Sequence, residues 1–427
     1  MIWVDWLMEF AALMKAYAFY YPLMMAWLWM SGAVIYYRRH ERGLVRDPDN
    51  PPTLADPPPV SIIIPCYNEG DTCRESIEAA VRQRYPHFEV IAINDGSSDD
   101  TGRVLDELAT LHPVLRVVHL EQNQGKSMAL RMAAMLSPHD YLVCIDADGI
   151  LDPHATTWLM RHLAGSPRVG AVSGNPRVRN RSTLLGRIQV GEFSAIVGML
   201  KRTQRIWGRL FTVSGAVSAY RKSALQRVGY WSLDMVTEDI DMSWKLQLDK
   251  WDVRFEPNAL CWLLTPETLR GLWTQRLRWA QGGAEVLMRH YALAKYWKSR
   301  RMWPVYMEYF ASVLWSYVMA TIALLWVLGK FIMIPDPLYV DSLLFSWCAT
   351  LLGITCLTQF AVSLAIDSRY EKGIGRFYYW LVWYPVVYWI LNVASTLVGY
   401  PRAYRRMHRG KGGRARWKSP DRGLRPS

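Results

Sequence analysis

The sequence predicts an α/β fold: a doubly wound, mostly parallel sheet flanked by transmembrane helices and amphipathic interfacial helices. Three observations carry that expectation. Short β-branched runs alternate with amphipathic stretches between residues 60 and 146, the pattern of strand–helix units in a parallel sheet. Apolar stretches long enough to cross a hydrocarbon core of ~30 Å stand on both sides of that region. The composition is 51% apolar and 13% aromatic, with 21 Trp and 23 Tyr. That is rich for a soluble enzyme and ordinary for a chain with aromatic belts at a membrane interface.

The elements follow in order. Residues 17–37 carry no charge; Asp5 and Glu9 precede them and Arg38, Arg39 and Arg42 follow. The basic side belongs in the cytoplasm. The stretch lacks a small-residue cleavage site, so 1–46 reads as an anchor with a basic flank. Residues 47–59, DPDNPPTLADPPP, read as a proline-rich linker. A soluble domain spans 60–265. Its predicted strands are 60–65, 90–95, 115–120 and 141–146, and its predicted helices 71–84, 101–111 and 126–136. Residues 266–303 read as interfacial helices. A C-terminal membrane region, 304–400, holds spans at 304–334 and 340–366. The loop around Pro335-Asp336-Pro337 is acidic and reads as external; Asp367 to Arg376 is basic and reads as internal. The stretch 377–400 is interrupted by Pro385. It is either a full crossing or part interfacial helix and part span. The tail, 401–427, carries ten Lys/Arg against Asp421 alone. It supplies +9 of the net +13, and reads either as an element facing lipid or nucleotide or as a solvated end. The six cysteines form no CxxC pair and read as structural thiols.

In a parallel sheet, ligands bind beyond the carboxyl ends of the strands. Three motifs stand there. The first strand runs into Pro65-Cys66-Tyr67-Asn68-Glu69, the second ends at Asp95, and the fourth at Asp146-Ala147-Asp148. A pleat's period of two puts Asp146 and Asp148 on one side. Hard carboxylates in that arrangement suit Mg²⁺ or Mn²⁺ with diphosphate oxygens as co-ligands; the competing reading is a pair of turn aspartates. Asp95 is placed to contact a base or ribose, or only to cap a helix, with Ser97 and Ser98 as candidate caps. Asn123-Gln124-Gly125-Lys126 offers amides and an amine to a phosphate, without the full phosphate-loop pattern. Ser214 and Gly215, in FTVSGAVSAYR, read as lining for an acceptor groove. Thr237-Glu238-Asp239 opens a helix. Asp239 is a candidate base for deprotonating a hydroxyl, although acids there also stabilise a helix dipole. Gln275-Arg276-Leu277-Arg278-Trp279 lies on an amphipathic helix. Arg278 could meet diphosphate oxygens and Trp279 a sugar ring; lipid headgroups are the alternative.

The set D, DxD, TED, QxxRW resembles the processive, inverting family-2 glycosyltransferases, over nearly the whole chain. The stretches VSGNPRVRNRSTLLGRIQVGEFSAIVGMLKRTQRIWG, MVTEDIDMSWKLQLDKW and PETLRGLWTQRLRWAQGGAEV narrow the resemblance to bacterial poly-β-1,6-N-acetyl-D-glucosamine synthases. The resemblance implies a GT-A-like domain and a hexosyltransferase that draws on UDP-N-acetylglucosamine with Mg²⁺ or Mn²⁺ and extends a biofilm polysaccharide. Tyr67, Glu69, Asp95, Lys126, Asp146 and Arg278 would then bind the nucleotide and Asp148, with Asp146, the metal. Asp239 would be the base, and Ser214, Gly215, Glu238, Gln275 and Trp279 would meet the acceptor. It also implies the bacterial inner membrane, with the catalytic domain cytoplasmic. The expected partners are lipid and the growing polymer, with no nucleic acid. A small two-span subunit would hold cyclic di-GMP with Arg405, Arg406 and Arg409. The alternatives are a chitin- or hyaluronan-type synthase and a catalytically silent nucleotide-sugar sensor.

Overall fold

A computed structural model describes residues 2–43, 48–342 and 347–408. The long helix α1 (Ile2–Tyr36) leads to the strand–helix units β1 (Val60–Cys66), α2 (Cys73–Val81), β2 (Phe88–Asn94), α3 (Thr101–Leu111), β3 (Leu115–His119), α4 (Lys126–Leu136) and β4 (Tyr141–Ile145). Next come β5 (Ile150–Leu151), α5 (Ala155–Ala164), β6 (Val169–Val178), α6 (Leu184–Glu192), α7 (Leu200–Trp207), β7 (Val217–Arg221), α8 (Lys222–Arg227), α9 (Glu238–Leu248) and β8 (Asp252–Leu263). The chain closes with α10 (Leu269–Arg289), α11 (Trp303–Leu328), α12 (Trp347–Asp367) and α13 (Tyr384–His408).

The eight strands form one sheet in the order β3-β2-β1-β4-β7-β6-β8-β5. The β3-β2-β1-β4 half is parallel throughout. β7 joins antiparallel to β4 and β6, β6 pairs parallel with β8, and β5 pairs antiparallel with β8. The central strands are apolar on both faces because helices cover both. Val60, Ile62 and Ile64 of β1 face one core with Val90 and Val143, while Ile63 faces the other with Ile91 and Leu142.

The predicted strands and helices of the first half fall within a few residues of these bounds. The helix caps differ. The N-cap of α3 is Asp100, rather than Ser97 or Ser98, and makes no side-chain cap bond; Asp99 Oδ1, one residue earlier, accepts from Thr101 N at 3.0 Å. Ser97 Oγ instead accepts from Asn68 N at 3.0 Å, and Asn68 Oδ1 accepts from Ser98 N at 2.9 Å, knitting the loop after β2 to the loop after β1. Gly96 has a positive φ of 65°, and a Cβ there would lie 2.5 Å from Gln122 C, so only glycine fits.

Among the described residues, three helical segments are long and apolar enough to cross a membrane: Asp5–Glu41, Trp297–Leu328 and Trp347–Asp367. Lys15 Nζ donates to Pro337 O at 3.0 Å and Tyr339 O at 2.9 Å, so the early part of α1 shares a side with the 335–339 loop. At the other end, the π-helical turn that follows α1 (Tyr37–Glu41), α7, α12 and β6 meet in a buried charge cluster. Arg202 reaches Glu41 Oε1 at 2.8 Å and Asp367 Oδ1 at 2.9 Å, and Arg177 reaches Asp367 Oδ2 at 2.8 Å. The 377–400 stretch is divided, as one of the two readings allows. Ile374–Trp383 forms tight 3₁₀ turns, and the chain then bends by 70° into α13. Pro385 sits in the first turn of α13, where its missing N–H costs no helical bond. α13 lies along α10: Gly399 packs on Ala280 and Gln281, and Arg406 Nη1 reaches Glu285 Oε1 at 2.8 Å. Arg406 thus lies on the same side as α10. Arg409 and the rest of the basic tail lie outside the described residues.

Candidate active site

The carboxyl ends of β1, β2 and β4 open onto a narrow cleft. It is lined by Tyr67, Glu69, Asp95, Lys126, Asp146 and Asp148, with Pro65, Cys66 and Ala147. β4 ends at Ile145, so a tight turn, closed by Gly149 N on Asp146 O at 2.9 Å, brings the two aspartates to the cleft. The strand pleat invoked from the sequence does not reach them. Asp148 is buried and Asp146 partly open. Among the described residues no group of three or more His, Cys, Asp or Glu is gathered to hold an ion. Two carboxylates beside an open cleft still fit Mg²⁺ or Mn²⁺, which keep several positions for substrate phosphates and water.

Asp95 is buried, which raises its pKa, while turn amides oppose the rise. Oδ1 accepts from Gln124 N at 2.7 Å and Oδ2 from Gly125 N at 2.8 Å. The carboxylate therefore fixes the turn before α4, which in turn aims Lys126. Glu69 is braced by Thr72, whose Oγ1 donates to Oε2 at 2.7 Å.

Lys126 is the hub. Its Nζ lies 2.6 Å from Asp146 Oδ1 and 2.9 Å from Glu238 Oε1, and donates to Gly215 O at 3.2 Å. Burial disfavours the ammonium, but Asp146 and Glu238 outweigh it and raise the lysine's pKa. Burial likewise disfavours the Glu238 carboxylate, yet Lys126 leaves its pKa lowered. Asp239 goes the other way: burial and the neighbouring Glu238 charge push it up to about 6. Its Oδ2 accepts from Gly215 N at 3.1 Å and its Oδ1 from Ile240 N at 2.9 Å. A Cβ at Gly215 would come within 3.0 Å of Asp239 Oδ2. Two adjacent acids with opposed shifts mark the division expected of an ionised group and a base.

α10 brings up the last motif. Arg278 lies near enough to favour the ionised forms of both Glu238 and Asp239. Gln275 Oε1 is buried without a hydrogen-bond partner, an acceptor left for something the described chain does not supply. Trp279 lies under the Arg276 guanidinium, 4.3 Å from the ring centre. The sequence reading gave Arg276 no role, but its Nη2 reaches buried Glu192 at 2.6 Å, fixing α10 on α6. Ser214 N donates to Ser173 Oγ at 2.9 Å, and the same oxygen accepts from Lys201 Nζ at 2.7 Å. Burial pushes the Lys201 amine down to about 7, partly offset by Asp239. Lys201 and Ser173 were missed because neither belongs to a short motif; only the fold brings them under the Ser214–Gly215 loop.

Tyr67, Glu69, Asp95, Lys126, Asp146 and Asp148 thus line one cleft, with Gly215, Glu238, Asp239 and Arg278 about Lys126; Arg405 and Arg406 do not line it, and Arg409 falls outside the described residues. Comparison with known proteins follows the same line. Residues 57–282 match the family described as glycosyltransferase like family 2. The chain is 38% identical over 406 residues to a poly-beta-1,6-N-acetyl-D-glucosamine synthase of Staphylococcus epidermidis (strain ATCC 35984), covering 95% of this chain and 97% of that protein. It is 39% identical over 412 residues to the synthase of the same name from Staphylococcus aureus (strain MSSA476), with the same coverage. A mannosyltransferase from Pyrobaculum calidifontis, solved with GDP-Man and Mn²⁺, superposes with a TM-score of 0.64 at 20% identity, covering 95% of this chain and 99% of its own. That likeness concerns the GT-A-like fold.

Proposed function

We propose, from the premise that this chain belongs to glycosyltransferase like family 2, that it polymerises N-acetylglucosamine from UDP-N-acetylglucosamine into poly-β-1,6-N-acetylglucosamine. The family match and the synthases similar over 95% of the chain support a hexosyltransferase of this kind. The observation that carries the chemistry is the Lys126–Asp146–Glu238–Asp239 constellation at the strand ends, with Arg278 beside it.

Tyr67, Glu69 and Asp95 would hold the uridine end of the donor. Asp146 and Asp148 would hold a divalent ion, which when bound neutralises charge on the departing diphosphate. Lys126 and Arg278 add fixed positive charge at that end. The acceptor hydroxyl attacks the anomeric carbon from the opposite face, its proton passes to Asp239, and the bond to the diphosphate breaks with UDP taking the electron pair. A pKa near 6 lets Asp239 be ionised at neutral pH yet basic enough to take the proton. Ser214, Gly215, Glu238, Gln275 and Trp279 would line the acceptor side.

The catalytic domain would face the cytoplasm of a bacterial inner membrane. Binding of cyclic di-GMP with a small two-span subunit is a finer proposal. Exposed Arg405 suits it better than Arg406, which is already held by buried Glu285.

The test uses the full-length protein in lipid nanodiscs with Mn²⁺. UDP should be released from UDP-N-acetylglucosamine well above UDP-glucose or GDP-mannose. Equal release from UDP-glucose would overturn the donor assignment.

A further inference from the structure

A second cavity, open to the surface, lies away from the cleft and is lined by Arg181, Arg187, Arg376, Phe377 and Trp380. Arg181 stands before α6 and Arg187 in its first turns; the other three belong to the 3₁₀ segment Ile374–Trp383. The guanidiniums are held over rings. Arg187 lies 4.9 Å from the Trp380 centre, Arg181 5.2 Å and Arg376 5.0 Å from that of Phe377. Against three cations there is one carboxylate: Arg181 pairs with Glu371. Among the described residues no acid lies within salt-bridge distance of Arg187 or Arg376, and Arg181 Nη2 is buried without a hydrogen-bond partner. Arg181 Nε donates to Val178 O at 2.8 Å and Arg187 Nε to Arg181 O at 3.1 Å, which holds these guanidiniums in place and leaves the terminal N–H groups of Arg187 and Arg376 suited to a phosphate group.

The position of the cavity indicates where that phosphate comes from. The same 3₁₀ segment exposes Tyr379 (75%), Val382 (52%) and Trp383 (55%). Aromatic and aliphatic side chains left bare beside basic ones are the composition of an element lying at headgroup level. The segment also presses on the machinery: Leu381 packs where a Cβ at Gly191 would fall, 2.5 Å away, and the next residue, Glu192, holds Arg276 of α10.

We propose that this cavity binds the phosphate of an anionic lipid headgroup and so seats the Ile374–Trp383 segment on the membrane surface. The full-length protein, released from detergent micelles in native mass spectrometry, should retain phosphatidylglycerol in preference to phosphatidylcholine. The double variant Arg187→Gln/Arg376→Gln should lose roughly 30-fold in apparent affinity, as expected for two cations near an anionic surface. Millimolar inorganic phosphate should not displace the lipid. The single variant Arg376→Gln, whose side chain is in no ion pair, tests the same site with the least risk to folding and should lose part of that preference. Equal retention of both lipids, or an unchanged preference in both variants, overturns the proposal. Displacement by inorganic phosphate also overturns it, and would indicate a free-anion site. The readout is binding alone, so its failure is separate from that of the glycosyltransferase reading.

Discussion

Replacing Asp239 with Asn separates catalysis from stability. The side chain is held in a partly buried site beside the ionised Glu238, and its pKa rises from 3.8 to about 6. At ~1.4 kcal/mol per unit, ionising it in the folded protein costs about 3 kcal/mol at pH 8. A raised folded-state pKa favours the protonated form, so the group's contribution is full below about pH 4 and lost as pH rises through about 6. Asparagine cannot ionise and removes that cost. The amide keeps one acceptor, however, while Gly215 N and Ile240 N both donate to the carboxylate. One N–H loses its partner, at ~1–3 kcal/mol. The expected sum at pH 8 is a thermal midpoint unchanged or slightly raised, with turnover lower by ~10²–10⁴-fold. UDP release at matched protein, and unfolding midpoints at pH 5 and pH 8, give both readings. The variant's stability advantage should shrink at pH 5, and wild-type kcat/KM should rise as pH passes about 6. Near-normal turnover, or a variant less stable relative to wild type at pH 8 than at pH 5, would refute the reasoning.

Gly282→Ala should cut kcat at least tenfold and leave UDP affinity intact, because its Cβ would fall 2.2 Å from Thr237 Oγ1 at the start of α9; binding calorimetry beside turnover checks it. Asp148→Ala should abolish the Mn²⁺ dependence of UDP binding, and chelation with EDTA should do the same to wild type until Mn²⁺ is restored. Asp367→Ala leaves Arg177 and Arg202 buried without this carboxylate and should destabilise the protein by ~3–5 kcal/mol, seen as a lower midpoint in thermal unfolding.

Much of this was legible in the sequence because it is local. A strand that must be apolar on both faces, such as VSIIIP, announces itself, and so does a carboxylate where such a strand stops. The position of Asp239 beside Lys126 could be guessed only from the motif set, since 113 residues part them in the chain. What stayed hidden is pairing between distant polar residues. Glu41, Arg177, Arg202 and Asp367 are ordinary charges in sequence and become one buried cluster only once the turn after α1 meets β6, α7 and α12. Arg276 reads as one more basic residue on an amphipathic helix until Glu192 is opposite it. The start of α3 was misplaced because Ser97, Ser98, Asp99 and Asp100 are all good caps by type; the helix begins after Asp100, while Asn68 engages the serines from another strand end.

The central claim is the polymer itself. Wild-type protein in nanodiscs, given UDP-N-acetylglucosamine and Mn²⁺, should yield a high-mass product that a β-1,6-specific hexosaminidase digests to monomer while a chitinase leaves it whole. A product that resists the β-1,6 enzyme and yields to the chitinase would contradict the account.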